Sequence, residues 1–351
     1  MEKCPICKVN DADKKNVHLI PWFLIKKCIT QRGSGDRDME LSFSIEPQSF
    51  TKMYTGRSIL PEVVEEFGEL HDLQKEKENP YSRDNLICTE CEEKFSRLEA
   101  IFASQFTEKK LRNLYNSNLD KINNNSIVID KKYDTSLYEL LIQSIFYRCS
   151  IGRFNDFRLL PVIENKIEEN LRKAFSVDNF KKIKSTHTID LIFKFPLITS
   201  SFFIPEGEDP TKNFIVVPNS KIPYFIMAGK WMFQLFQADK HVKSTVEWLY
   251  GLQNKLNPLE TYKIIKNSSH VILLDTENGE GISKNFLDFF TEKRIRGVRK
   301  NIQDLHMHLF KARPNSSIAQ YIYQQYFVHL NEGKSEFDAM VHAFFDLKKL
   351  A

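Results

Sequence analysis

The chain has 351 residues, of which 42% are apolar and 27% charged, so it is long enough for a buried core and excludes a disordered polymer. Fifty Lys and Arg against 46 Asp and Glu give a formal net charge of +4, which excludes polyanion binding over the whole surface and leaves only local basic patches. Phe is abundant at 28 while Gly and Pro are sparse at 12 and 13, which predicts a helix-rich α+β fold rather than short strands joined by tight turns.

In chain order, the first residues, Met1, Glu2, Lys3, Cys4 and Pro5, lack the apolar region of a secretory signal, and a cytoplasmic location is expected. A cysteine pair, Cys4 and Cys7, precedes an apolar stretch at 17–29. A polar insertion at 30–84 follows, with turn-prone Arg32, Gly33, Ser34 and Gly35 and a charged run at 75–80. A second pair, Cys88 and Cys91, opens a segment in which Phe95, Leu98, Ile101, Phe102 and Phe106 recur at helical spacing, predicting a helix from 90 to about 116. The Asn-rich tract at 116–125 reads as a linker, dividing an N-terminal domain at 1–115 from an α+β domain at 126–351.

Beyond the linker, helices are predicted at 137–149 and 163–175. β-branched and aromatic bias predicts the strands of a small sheet at 188–195, 202–205, 214–218, 224–227 and 270–275. The most apolar stretch, 223–238, is interrupted by Lys230 and Gln234, so no membrane span and no membrane partner are expected. Helical periodicity returns at 283–302, 317–330 and 335–350.

The six cysteines, with no secretory signal, read as metal ligands or buried thiols rather than a disulfide framework. By chance, six cysteines in this length would give roughly 0.1 C-x-x-C pairs, and the chain has two. Two residues between cysteines let a tight knuckle aim both sulfurs at one ion, and four thiolates suit tetrahedral zinc. Cys4, Cys7, Cys88 and Cys91 are therefore the predicted ligands of one structural Zn²⁺. Closing the long loop between the pairs costs little, because the entropy grows only with the logarithm of length. Cys28 and Cys149 lie in apolar surroundings and read as core.

Taken together, Cys4-Pro5-Ile6-Cys7, then Val17-His18-Leu19-Ile20-Pro21-Trp22-Phe23, then Leu86-Ile87-Cys88-Thr89-Glu90-Cys91-Glu92 resembles the HNH endonuclease superfamily over about the first 110 residues. The pattern is most similar to a group of bacterial HNH-like proteins. The resemblance implies a treble-clef (ββα-metal) zinc module and metal-dependent hydrolysis of phosphodiester bonds in DNA or RNA. It also implies a first histidine that activates the attacking water and a divalent ion, Mg²⁺ or Mn²⁺, at the leaving oxygen. His18 matches that histidine. Asn85 loosely matches the family's asparagine, and Glu92 stands where the family has its final histidine. Val17 stands where the family carries an acidic residue. A carboxylate suits a hard divalent ion, so Glu92 can serve as its ligand, and Glu99 lies two turns further on the same helical face.

Basic residues Lys26, Lys27, Arg32 and Arg37 follow His18. The densest positive stretch, which includes Arg294, Arg296, Arg299 and Lys300, precedes Lys311 and Arg313; these are candidate phosphate contacts or a solvated helix face. His306 and His308 have no cysteine or carboxylate at ligand spacing and read as structural. Two functions stay open: a nuclease acting on nucleic acid, by analogy in anti-phage defence with a protein partner, or a non-catalytic zinc module that recognises nucleic acid or protein.

Overall fold

A computed structural model describes residues 2–29, 41–45, 51–55, 75–76, 79–105, 107, 109–110, 113, 121–122, 125–129, 135–176, 195–202, 215–218, 221–238, 240–242, 270–274, 276–332, 334 and 336–350. In chain order the elements begin with β1 (Val17–His18), α1 (Trp22–Ile29), β2 (Leu41–Ile45), β3 (Thr51–Thr55), β4 (Lys75–Glu76), β5 (Ser82–Arg83) and α2 (Thr89–Gln105). Next come β6 (Lys121–Ile122), β7 (Asn125–Ile129), α3 (Thr135–Ile151) and α4 (Pro161–Phe175). The strands β8 (Leu197–Phe202), β9 (Ile215–Val216), β10 (Tyr224–Ala228), β11 (Trp231–Leu235) and β12 (His270–Leu274) precede the helices α5 (Thr276–Phe310), α6 (Ser316–Asn331) and α7 (Glu336–Leu350). The fold is mixed α+β.

Two compact units result, one formed by Met1–Gly35 with Asn79–Ser283 and the other by Asp36–Glu78 with Lys284–Ala351. Both cysteine pairs and the helices α3 and α4, on either side of the Asn-rich tract, belong to the first unit. Its seven-stranded sheet runs in the order β6-β7-β12-β8-β11-β10-β9. β12 is parallel to β8 and antiparallel to β7.

Helix α3 is buried at every position from Leu137 to Ser150, because its sequence is apolar on all sides. Three of the polar residues it carries inward bond to α4. Gln143 accepts from Asn170 Nδ2 at 2.7 Å, Ser150 Oγ donates to Glu164, and Tyr147 donates to Glu168 at 3.0 Å. Pro161 starts α4 at its first turn, where no backbone donor is required. Aromatic rings then join four elements: Phe102 of α2 lies 5.6 Å from Phe23 of α1, 5.6 Å from Tyr138 of α3 and 5.4 Å from Trp231 of β11.

In the second unit β2, β3 and β4 form a three-stranded sheet. Its helices share a core of Val298, Ile302, Ile322, Tyr326, Leu330, Ala339, Ala343 and Phe344. Asn315 caps α6 by accepting from the Ile318 backbone N–H at 2.8 Å.

Helices α3, α4, α6 and α7 fall within two residues of their predicted limits, while α5 extends beyond 283–302 in both directions. Helix α2 ends at Gln105, short of 116. Strands β9, β10 and β12 overlap predicted segments, whereas β8 lies mainly upstream of 202–205, and β7 and β11 were not anticipated. The predicted strand residues 188–194 lie outside the described residues. Among the described residues, no helix is long and apolar enough to cross a membrane.

Candidate metal centre

The first pair sits on a knuckle closed by backbone hydrogen bonds from Cys4 N–H to Asn10 O (2.8 Å) and from Lys8 N–H to Cys4 O (2.9 Å). Lys8 takes a left-handed φ of 61° to make the turn. The second pair sits at the start of α2. There the Thr89 backbone N–H donates to Asp13 Oδ1 at 2.9 Å, so a side chain beside the knuckle satisfies a helix-start donor. The same two segments are stitched by Lys14 N–H to Ile87 O (3.1 Å) and Asn85 N–H to Lys14 O (2.8 Å).

This stitching brings the thiols of Cys4, Cys7, Cys88 and Cys91 within 4.8 Å of one another. Zinc–thiolate bonds of about 2.3 Å place tetrahedral sulfurs about 3.8 Å apart. The Cys7 and Cys88 sulfurs stand 3.8 Å apart. Cys4, Cys88 and Cys91 are buried and Cys7 is half-buried. Donor set, spacing and burial all fit a structural zinc ion, and among the described residues these four form the one such cluster.

Electrostatics agrees with the need for a cation. A hydrogen bond from the Cys91 thiol, aided by backbone N–H groups, pulls the Cys4 thiol down to about 4. The Cys91 thiol is pushed far up, first by that hydrogen bond to Cys4 and then by burial. Burial raises Cys88 as well. Four thiolates at this separation cannot coexist without a positive ion between them, and a divalent metal would supply it.

Asn10 supports the sulfurs from outside the ligand set, a role the sequence reading missed. Its backbone N–H points to Cys7 Sγ at 3.5 Å, and its Nδ2 reaches Cys88 Sγ at 3.8 Å and Glu90 Oε2 at 3.2 Å. The signal was present as an asparagine three residues past a C-x-x-C knuckle. Such donors orient and stabilise metal thiolates.

Of the remaining predicted residues, His18 lies on β1, which pairs antiparallel with β5 through Val17↔Arg83 and His18↔Ser82. It is 7% exposed, with its ring 5.7 Å from that of Trp22. Glu92 follows Cys91 in the first turn of α2 and has one buried carboxylate oxygen. Asn85 is exposed and takes a left-handed φ of 58°, a conformation its short polar side chain tolerates, so the turn itself accounts for an asparagine there. Glu99 is ion-paired at 2.8 Å with Arg148 of α3, a fully buried guanidinium.

Lys26 is half-buried on α1 in the first unit. Arg296, Arg299 and Lys300 are exposed on α5 in the second, where Arg299 lies over the Tyr323 ring, 5.5 Å from its centroid. The side chains of Lys27 and Arg294 lie outside the described residues, as do Arg32 and Arg37. Burial pushes the thiols of Cys28 and Cys149 up to about 12, and both pack with the first core. His306 is buried, with Nδ1 donating to Ala312 O at 2.7 Å. No family model, curated protein or solved structure matches this chain.

Proposed function

We propose that the chain is a metal-dependent, HNH-like endonuclease whose zinc-bound treble clef presents His18 and Glu92 to a phosphodiester. The observation that carries this reading is the order of parts in one module. A four-cysteine cluster sits at the foot of α2, Glu92 directly follows its last ligand, and His18 lies on the short β1–β5 ribbon before it. His18 acts as general base on the attacking water. Glu92 holds a divalent ion such as Mg²⁺ or Mn²⁺, which when bound stabilises charge on the leaving oxygen. A site with few protein ligands suits Mg²⁺, which keeps waters and substrate oxygens in its coordination shell. Lys26 and the exposed Arg296, Arg299 and Lys300 are proposed phosphate contacts, and anti-phage defence is the biological role proposed by analogy.

A second reading has specific support. Val17 is fully buried and apolar where the family has an acid, and Glu99 is engaged by Arg148. These observations favour a zinc module that binds nucleic acid or protein without cutting it.

Incubation with plasmid, linear and single-stranded DNA and with RNA, in Mg²⁺ or Mn²⁺, separates the two. The nuclease reading expects cleavage by the wild type that falls at least a hundredfold in His18→Ala, within the range for loss of a general base. Cleavage that survives the substitution removes His18 from the mechanism. Binding without cleavage on every substrate establishes the second reading.

A further inference from the structure

A charged side chain with no exposure at all sits beside the strand that carries His18, on a helix outside the zinc module. Arg148 of α3 is 0% exposed. One guanidinium nitrogen donates to the His18 backbone carbonyl at 2.9 Å, and the other faces Glu99 Oε1 of α2 at 2.8 Å. The guanidinium plane lies over the Phe95 ring, 5.0 Å from its centroid, between the turn of Glu92 and that of Glu99.

The neighbouring residues reinforce the same junction. The Cys149 thiol points to the Leu19 carbonyl at 3.7 Å. A Cβ on Gly152 would meet Leu19 Cδ2 at 2.4 Å and the Arg148 carbonyl at 2.9 Å, so α3 can end against residue 19 only with glycine there. Nη1 makes its hydrogen bond to the His18 carbonyl, while Nη2 stands against the Glu99 carboxylate as an ion pair and, like Nε, makes no hydrogen bond among the described residues; the rigid fork holds both directions at once, which a lysine ammonium cannot reproduce. The two groups it holds are the backbone of the proposed base and, through Glu99, the helix of the proposed metal ligand.

We propose that Arg148 is a positioning residue for the nuclease site, fixing the His18 strand against α2 and thereby making α3 part of the catalytic apparatus. This inference rests on the HNH-like reading for its kinetic consequence but not for its structural one. Arg148 contacts neither substrate nor metal. It sets the direction from which the imidazole faces the reacting phosphate, and a small misplacement of a base reduces turnover more than binding.

The test is Arg148→Lys in the full chain, loaded with one zinc and compared with wild type in two measurements. The first is the cleavage assay, in which kcat is expected to fall roughly tenfold to a hundredfold with KM unchanged within about twofold. The second needs no activity: the His18 ring-proton resonance in protein carrying ¹³C-labelled histidine, identified by its loss in His18→Gln. It senses the Trp22 ring 5.7 Å away and is expected to shift when the carbonyl anchor is lost. Wild-type kcat together with an unmoved resonance overturns the proposal and leaves the nuclease standing. A wild type that cuts nothing overturns the nuclease alone, and the resonance then decides the role of Arg148. If Arg148→Lys does not fold, Glu99→Ala removes the other end of the clamp. The resonance is then expected to shift in that variant, and an unmoved one overturns the proposal.

Discussion

Asn10 shows how a candidate metal site draws on residues outside its four sulfurs. Its side-chain amide bridges Cys88 and Glu90, across 78 and 80 residues of chain. Asn10→Ala removes that bridge while leaving all four sulfurs, and loss of a group that hydrogen-bonds a metal ligand typically weakens metal affinity 10- to 100-fold. Chelator competition should therefore show about a tenfold weaker zinc site with stoichiometry still one. An unchanged affinity would make Asn10 a bystander. The four ligands themselves were legible because C-x-x-C spacing is local and chemically specific. Arg148 was not, because an arginine inside an apolar helix says nothing about partners 130 residues away in sequence.

Periodic elements follow the same rule. Helices α3, α4, α6 and α7 were readable from apolar spacing, since each buries a stripe or a whole cylinder of side chains. Strands β10 and β11 are both buried at all five positions, so neither shows the alternation of a half-exposed strand; β10 was readable from Tyr224, Phe225 and Ile226, whereas β11 has no β-branched residue and was hidden. One polar bridge accompanies the apolar core between α6 and α7: His329 Nε2 meets Asp346 at 2.7 Å, while His329 Nδ1 meets Glu332, just past the end of α6, at 2.9 Å. Lys349 first, then His329, holds the Asp346 carboxyl below its ordinary value of 3.8. A carboxylate lowered in the folded state contributes stability that is present above the ordinary value and is lost as pH falls through the lowered one. The melting temperature of the α5–α7 unit should thus be flat in this respect above about pH 4 and decline below it. Asp346→Asn should lower it at pH 6 and flatten the acid limb; an acid limb identical to wild type would contradict the assignment.

At the scale of the first unit, the four-cysteine module is not an appendage. Lys8 pairs with Glu168 of α4 at 2.7 Å, Lys94 of α2 donates to the Phe175 carbonyl at 3.1 Å, and Phe95 packs edge-on against Phe175 at 4.9 Å. The module and the helices α3 and α4 therefore share one core, which a reading of sequence by segments could not show. The association is non-local, and only the tertiary structure records it. Metal and fold should accordingly be linked, because binding at a site absent from the unfolded chain adds directly to folding stability. X-ray absorption at the zinc edge of the purified full-length protein, with metal content measured on the same sample, tests this most directly. One zinc per chain surrounded by four sulfurs at about 2.3 Å is the predicted result. Protein that folds with no bound metal, or zinc held mainly by nitrogen and oxygen, would contradict it.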